Sequence, residues 1–170
     1  MIVALPIVVV SILIGIDQWT KYLALTNLKP VGSMPFLDGL LNLTFVENRG
    51  VAFGMFSGQR WLILAFTAII SIGIVIYYFK MPKTREFTWV RGCLLLVFSG
   101  AIGNIIDRTT RGYVVDFFDF AFIDFPVFNM ADIYVVVGVS ILMVLILFVI
   151  KDPDEQKPNK AELEEKENGE

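Results

Sequence analysis

IYVVVGVSILMVLILFVI, residues 133–150, holds no charged side chain. A helix of that length, rising about 1.5 Å per residue, crosses most of a hydrocarbon core roughly 30 Å thick. Three further stretches are equally free of charge: Ile2 to Ile16, Trp61 to Phe79 and Gly92 to Ile106. The first and third are shorter. Interfacial residues complete them, Asp17 to Leu25 after the first and Trp89 and Val90 before the third, because long charged side chains snorkel and Trp prefers the headgroup level. The competing reading is a soluble helical bundle, but with 56% hydrophobic residues and a mean hydropathy of +0.69 too little polar surface is left to coat one. Ile2 to Ile16 has no Lys or Arg before it and no small-x-small cleavage site after it. It is therefore expected to persist as the first span.

Alternating spans place 17–60 and 107–132 on one side of the membrane, with 80–91 and the tail from Lys151 on the other. Lys80, Lys83, Arg85 and Arg91 crowd the short 80–91 segment, which makes that side, and both termini, cytoplasmic. Of the nine acidic residues before the tail, eight (Asp17, Asp38, Glu47, Asp107, Asp116, Asp119, Asp124 and Asp132) fall on the outer side. The chemistry of acid groups is thus extracytoplasmic.

The net charge of −3 arises in the tail. Residues 151–170 hold eight acids and four lysines, whereas residues 1–150 hold ten basic and nine acidic groups. The domain reading is a membrane unit over 1–150 and a charged, disordered cytoplasmic tail over 151–170. No basic stripe suggests nucleic acid. Histidine is absent, which excludes Ser-His and Cys-His dyads and His-rich metal sites. Cys93 is a lone thiol and reads as a packing residue. General acid and base work then falls to Asp, Glu, Lys or Tyr.

Outside the spans, LNLTFV (41–46) alternates apolar and polar residues, ENRG (47–50) has turn composition, and VAFGMF (51–56) is apolar again. This pattern predicts a β-hairpin on the outer surface, with Leu41, Leu43 and Phe45 on one face. The fold class is therefore membrane α-helical, with four transmembrane helices and a small extracytoplasmic β-hairpin.

Polar residues gather at the outer ends of the spans. Asp17 and Lys21 are spaced i,i+4, a helix-end ion pair. Asn104, Asp107 and Arg108 share one face of the third span, where Gly100 and Gly103 permit close helix approach. Asn129 is placed to cap the fourth span and to put Asp132 in its first turn, where the helix dipole favours a carboxylate. Two carboxylates brought together share a proton near neutral pH, a pairing able to activate water. Spacing alone leaves five aspartates from Asp107 to Asp132 as candidates for that pair.

DQWTK (17–21), ENRGVAFG (47–54), GAIGNIIDR (100–108), VVDFFDF (114–120) and FNMAD (128–132) resemble, in order, the five motifs of bacterial lipoprotein signal peptidase, or signal peptidase II. The resemblance runs over about residues 1–150 and implies an aspartic endopeptidase of the cell membrane. Its substrates would be prolipoproteins carrying a diacylglyceryl cysteine, cut at the amino side of that cysteine, with membrane lipid as the other partner. The resemblance also singles out Asp116 and Asp132 as catalytic, with Asp17, Lys21, Asn48, Gly50, Asn104, Arg108 and Asn129 supporting the dyad or substrate. It further implies a β-cradle over about 28–56. A carboxylate dyad needs no metal or cofactor. The different-class alternative is a small membrane binding or transport protein whose outer acids hold a divalent cation. A Ser-Lys peptidase built on Ser33 with Lys29 or Lys21 is a further one.

Overall fold

The structure, a computed structural model, describes residues 4–50, 55–56, 58–82 and 84–148. Helix α1 spans Ala4–Leu23 and continues as a π-helical turn over Ala24–Leu28. Strands β1 (Ser33–Leu37) and β2 (Leu41–Asn48) follow, then helices α2 (Arg60–Lys80) and α3 (Arg85–Thr110). Strand β3 (Val114–Phe120) and helix α4 (Met130–Phe148) complete the described chain. All four α-helices are long and apolar enough to cross a membrane. Their outward faces carry exposed Leu, Ile, Val and Phe, for example Ile69, Ile72, Val136 and Leu147. Lipid, not water, is the solvent that accepts such a surface. The tail 151–170 lies outside the described residues.

Helix α3 is the centre of the bundle, packing against α1, α2 and α4. Small residues make this possible. A Cβ on Gly100 would collide with the carbonyl oxygen of Ala131, and one on Gly138 would lie 2.9 Å from the carbonyl oxygen of Cys93, so α3 and α4 approach almost backbone to backbone. Cys93 is buried in that packing, as its reading from sequence expects.

The three strands form one antiparallel sheet in the order β1-β2-β3. This differs from the predicted hairpin. Residues 47–50 were expected to turn and 51–56 to return as the second strand, yet Glu47 and Asn48 extend β2 by pairing with Val115 and Val114 of β3. The hairpin turn lies instead at Asp38–Leu40, where Gly39 takes φ +70°, a conformation glycine adopts without strain. Met55 and Phe56 lie in a turn, and residues 51–54 are outside the described ones. Segment 109–127, between α3 and α4, contains β3. Gly112, at φ +87° just past the end of α3, lets the chain leave the helix and enter that strand.

Leu43 and Phe45 pack with Val115 and Phe117 of β3 over Ala24 and Leu28 of the π-helical turn. The sheet is thereby clamped to the end of α1. Its other face carries Asp116 and Phe120 toward a cavity.

Candidate active site

Lys21 has no exposed surface and lies between two equally buried aspartates, its Nζ 3.0 Å from Asp17 and 3.2 Å from Asp107. A third partner, the Asn104 side-chain carbonyl, accepts from it at 2.8 Å. The helix-end ion pair expected for Asp17 and Lys21 is present and is part of a fully buried network. Each aspartate also anchors a backbone element. Asp17 accepts the Ala131 N–H (3.0 Å) at the start of α4, and Asp107 accepts the Val115 N–H (3.1 Å) next to Asp116 in β3.

Asn104 carries the network onward, its amide donating to Asp132 at 2.9 Å. Asn129 caps α4 reciprocally with Asp132. The Asn129 N–H donates to the Asp132 carboxylate and the Asp132 N–H to the Asn129 side-chain oxygen, each at 3.1 Å. That bond fixes the Asn129 amide so that its N–H donates to Asp116. The other Asp116 oxygen accepts from Asn48 at 2.8 Å, and Asn48 is itself oriented by the Gly50 N–H at 2.9 Å. Arg108 donates to the Gly50 carbonyl at 2.7 Å. All nine site residues named from sequence are thus linked in one hydrogen-bonded cluster at the end of the bundle that carries the sheet.

Asp116 and Asp132 both line a cavity of about 630 Å³. Its polar end also holds Asn48, Asn104 and Arg108. The remainder is apolar, running between Ile63 and Ile70 of α2 and Val136 and Val137 of α4 under a rim of Phe120, Phe125 and Phe128. Those three rings pack on one another at centroid distances of 5.1 to 6.0 Å. Burial, and secondly the Asp132 carboxylate, push the pKa of Asp116 up to about 7 from 3.8, against the lowering effect of the Asn48 and Asn129 amides.

Several supports were not read from sequence. Gln18 donates to Asp17, Asp107 and the Gly103 carbonyl. Its place inside DQWTK was the available signal. Arg111 adds an ion pair to Asp107. Asp119, one of the five candidate aspartates, sits in β3 away from the dyad's hydrogen bonds and accepts from Thr44 at 2.7 Å, while Thr44 also bonds Ser33. Ser33 and Lys29 are therefore engaged apart, Lys29 with Glu47 at 2.9 Å, and do not form a Ser-Lys pair. Among the described residues no group of three or more Cys, Asp or Glu side chains is arranged to hold a metal ion.

A family described as Signal peptidase (SPase) II matches residues 9–148. The lipoprotein signal peptidase of Caldanaerobacter subterraneus subsp. tengcongensis is 43% identical over 145 residues, covering 85% of this chain and 97% of the relative. That of Clostridioides difficile is 41% identical over 144 residues, covering 85% and 95%. A bacterial membrane enzyme solved by the in meso method at 2.3 Å superposes with a TM-score of 0.78 at 35% identity, covering 91% of this chain and 92% of its own. A second, at 1.9 Å, gives 0.75 at 34%, covering 86% and 94%. Fold and matches together define a multi-pass membrane protein of the aspartic peptidase class. Within that class, the chain belongs to the signal peptidase II family.

The raised pKa of Asp116 has a thermodynamic sign. The folded chain keeps this proton up to about pH 7 while the unfolded chain releases it near 3.8, so folding stability falls as pH rises through that window. Asp116→Asn removes the titration and should melt no lower than wild type at pH 8, with a smaller loss of melting temperature between pH 5 and pH 8. Thermal melts in detergent at the two pH values measure this, and an Asn variant with the wild-type pH dependence would contradict it.

Proposed function

We propose that Asp116 and Asp132 are the catalytic dyad with which this chain cleaves signal peptides from prolipoproteins. The observation that carries the assignment is Asn129, whose cap on α4 binds both carboxylates at once. Asp132 acts as base, because it sits in the first turn of α4, where the helix dipole favours a carboxylate, whereas burial favours the protonated form of Asp116. Asp116 holds the shared proton. In the reaction Asp132 takes a proton from water as its oxygen attacks the scissile carbonyl, and Asp116 donates its proton to that carbonyl oxygen. Collapse of the tetrahedral intermediate breaks the C–N bond; the leaving amine receives the proton held by Asp132, and one hydroxyl proton of the intermediate returns to Asp116, which restores the dyad.

The cavity suits a substrate with a polar peptide at one end and apolar groups at the other. We assign the polar end to the extended peptide around the scissile bond and the slot between α2 and α4 to apolar chains, those of the signal peptide and of a diacylglyceryl cysteine, in contact with membrane lipid. The dyad lies at the extracytoplasmic face and both termini are cytoplasmic, a reading supported by the basic residues of 80–91. The peptidase unit is residues 1–150, and the 151–170 tail is dispensable for it. Reporter fusions after residue 85 should read cytoplasmic and fusions within 30–38 external; the reverse pattern would overturn this orientation.

Purified protein incubated with a diacylglyceryl-modified prolipoprotein should release the signal peptide. Asp116→Asn and Asp132→Asn should each lower turnover by at least about 100-fold, the scale of one lost acid–base group. Asp124→Asn, Ser33→Ala and deletion of 153–170 should retain most activity, and EDTA dialysis should leave turnover unchanged. Wild-type turnover in either dyad variant would sink the assignment.

A further inference from the structure

A second cavity lies at the end of the bundle opposite the dyad. Helices α1 and α2 both pack on α3 without closing against each other, which leaves a groove of about 230 Å³. Pro6 and Ile7 of α1, Ile74 and Val75 of α2 and Leu94 and Phe98 of α3 make its walls almost wholly apolar. Cations stand at its mouth. Lys80 directly follows the lining residue Phe79, and Arg91 lies one helical turn before Leu94 and Leu95 on the same face of α3. Arg91 is held in place, donating to the Met81 carbonyl at 2.8 Å and lying over the Tyr78 ring, itself part of the groove wall. Exposed Trp89 marks the headgroup level beside it. In sequence, segment 80–91 has four basic residues and one acid, Glu86.

We infer that this groove binds one anionic phospholipid, an acyl chain lying between α1 and α2 and the phosphate meeting Arg91 and Lys80. An apolar groove alone accepts any lipid chain. The choice of an anionic headgroup follows from a positioned guanidinium and an ammonium at the groove mouth, where basic pockets between spans select acidic lipids. The site is separate from the dyad and stands whether or not the catalytic assignment holds.

Native mass spectrometry of the detergent-purified full chain, titrated with phosphatidylglycerol and with phosphatidylcholine of the same acyl chains, tests it. The expected result is a single phosphatidylglycerol adduct at least 5-fold tighter than the phosphatidylcholine adduct. Lys80→Gln/Arg91→Gln should abolish that preference, the glutamine at 91 retaining a donor for Met81. Should the double variant misfold, Lys80→Gln alone should reduce the preference, and Val75→Phe, which fills the groove, should weaken both adducts. Equal binding of the two lipids by wild type, or a preference that survives these substitutions, would overturn the site.

Discussion

A lysine ammonium with no exposed surface has to be neutralised by its neighbours, and the sheet-bearing end of this bundle is built around that requirement. Lys21 meets two carboxylates and an amide oxygen within 3.2 Å. Removing one partner from such a buried group leaves an uncompensated charge, a loss of about 3–5 kcal/mol. The carboxylates that satisfy Lys21 also fix the backbone, Asp17 at the start of α4 and Asp107 at the strand residue before Asp116. Helices α1, α3 and α4 and strand β3 are thereby locked in one arrangement, and Asn104 passes the constraint to Asp132.

The two proposed catalytic aspartates come from different kinds of structure. Asp116 projects from a strand into a cavity mostly lined by apolar groups, and burial together with its neighbour's charge lets it keep a proton near neutral pH. Asp132 sits in the first turn of a helix, where N–H groups converge. Asn129 bridges them because a capping residue must place its side-chain oxygen on the helix, which turns its amide nitrogen outward to the strand. A device for starting a helix thus also sets the distance between two acids.

Much of this was legible in the chain itself. The charge-free stretches predict four spans, and the described residues hold four helices of that kind, α3 running on to Thr110, past the Ile106 where its charge-free stretch ends. Asn129 and Asp132 read as a cap because their spacing is local. The sheet was legible only in part. Strand β2 shows alternation, but its long-range partner β3 is a run of Val and Phe broken by two aspartates, and neither reads as a strand until the other is beside it. For the same reason Glu47 and Asn48 looked like a turn, though pairing with Val115 and Val114 extends them. The burial of Lys21 was likewise hidden, since Asp17 four residues away accounts for it as a helix-end ion pair and the partner Asp107 belongs to another helix. Gln18 left only its position in a motif as a clue.

The dependence of kcat/KM on pH for cleavage of a diacylglyceryl-modified prolipoprotein tests the central claim most directly, because a dyad that shares one proton fails at both extremes. The account predicts a bell whose high-pH limb reports loss of the proton from Asp116, near pH 7. A rate that climbs steadily to pH 9, as deprotonation of a lysine base would give, would contradict it.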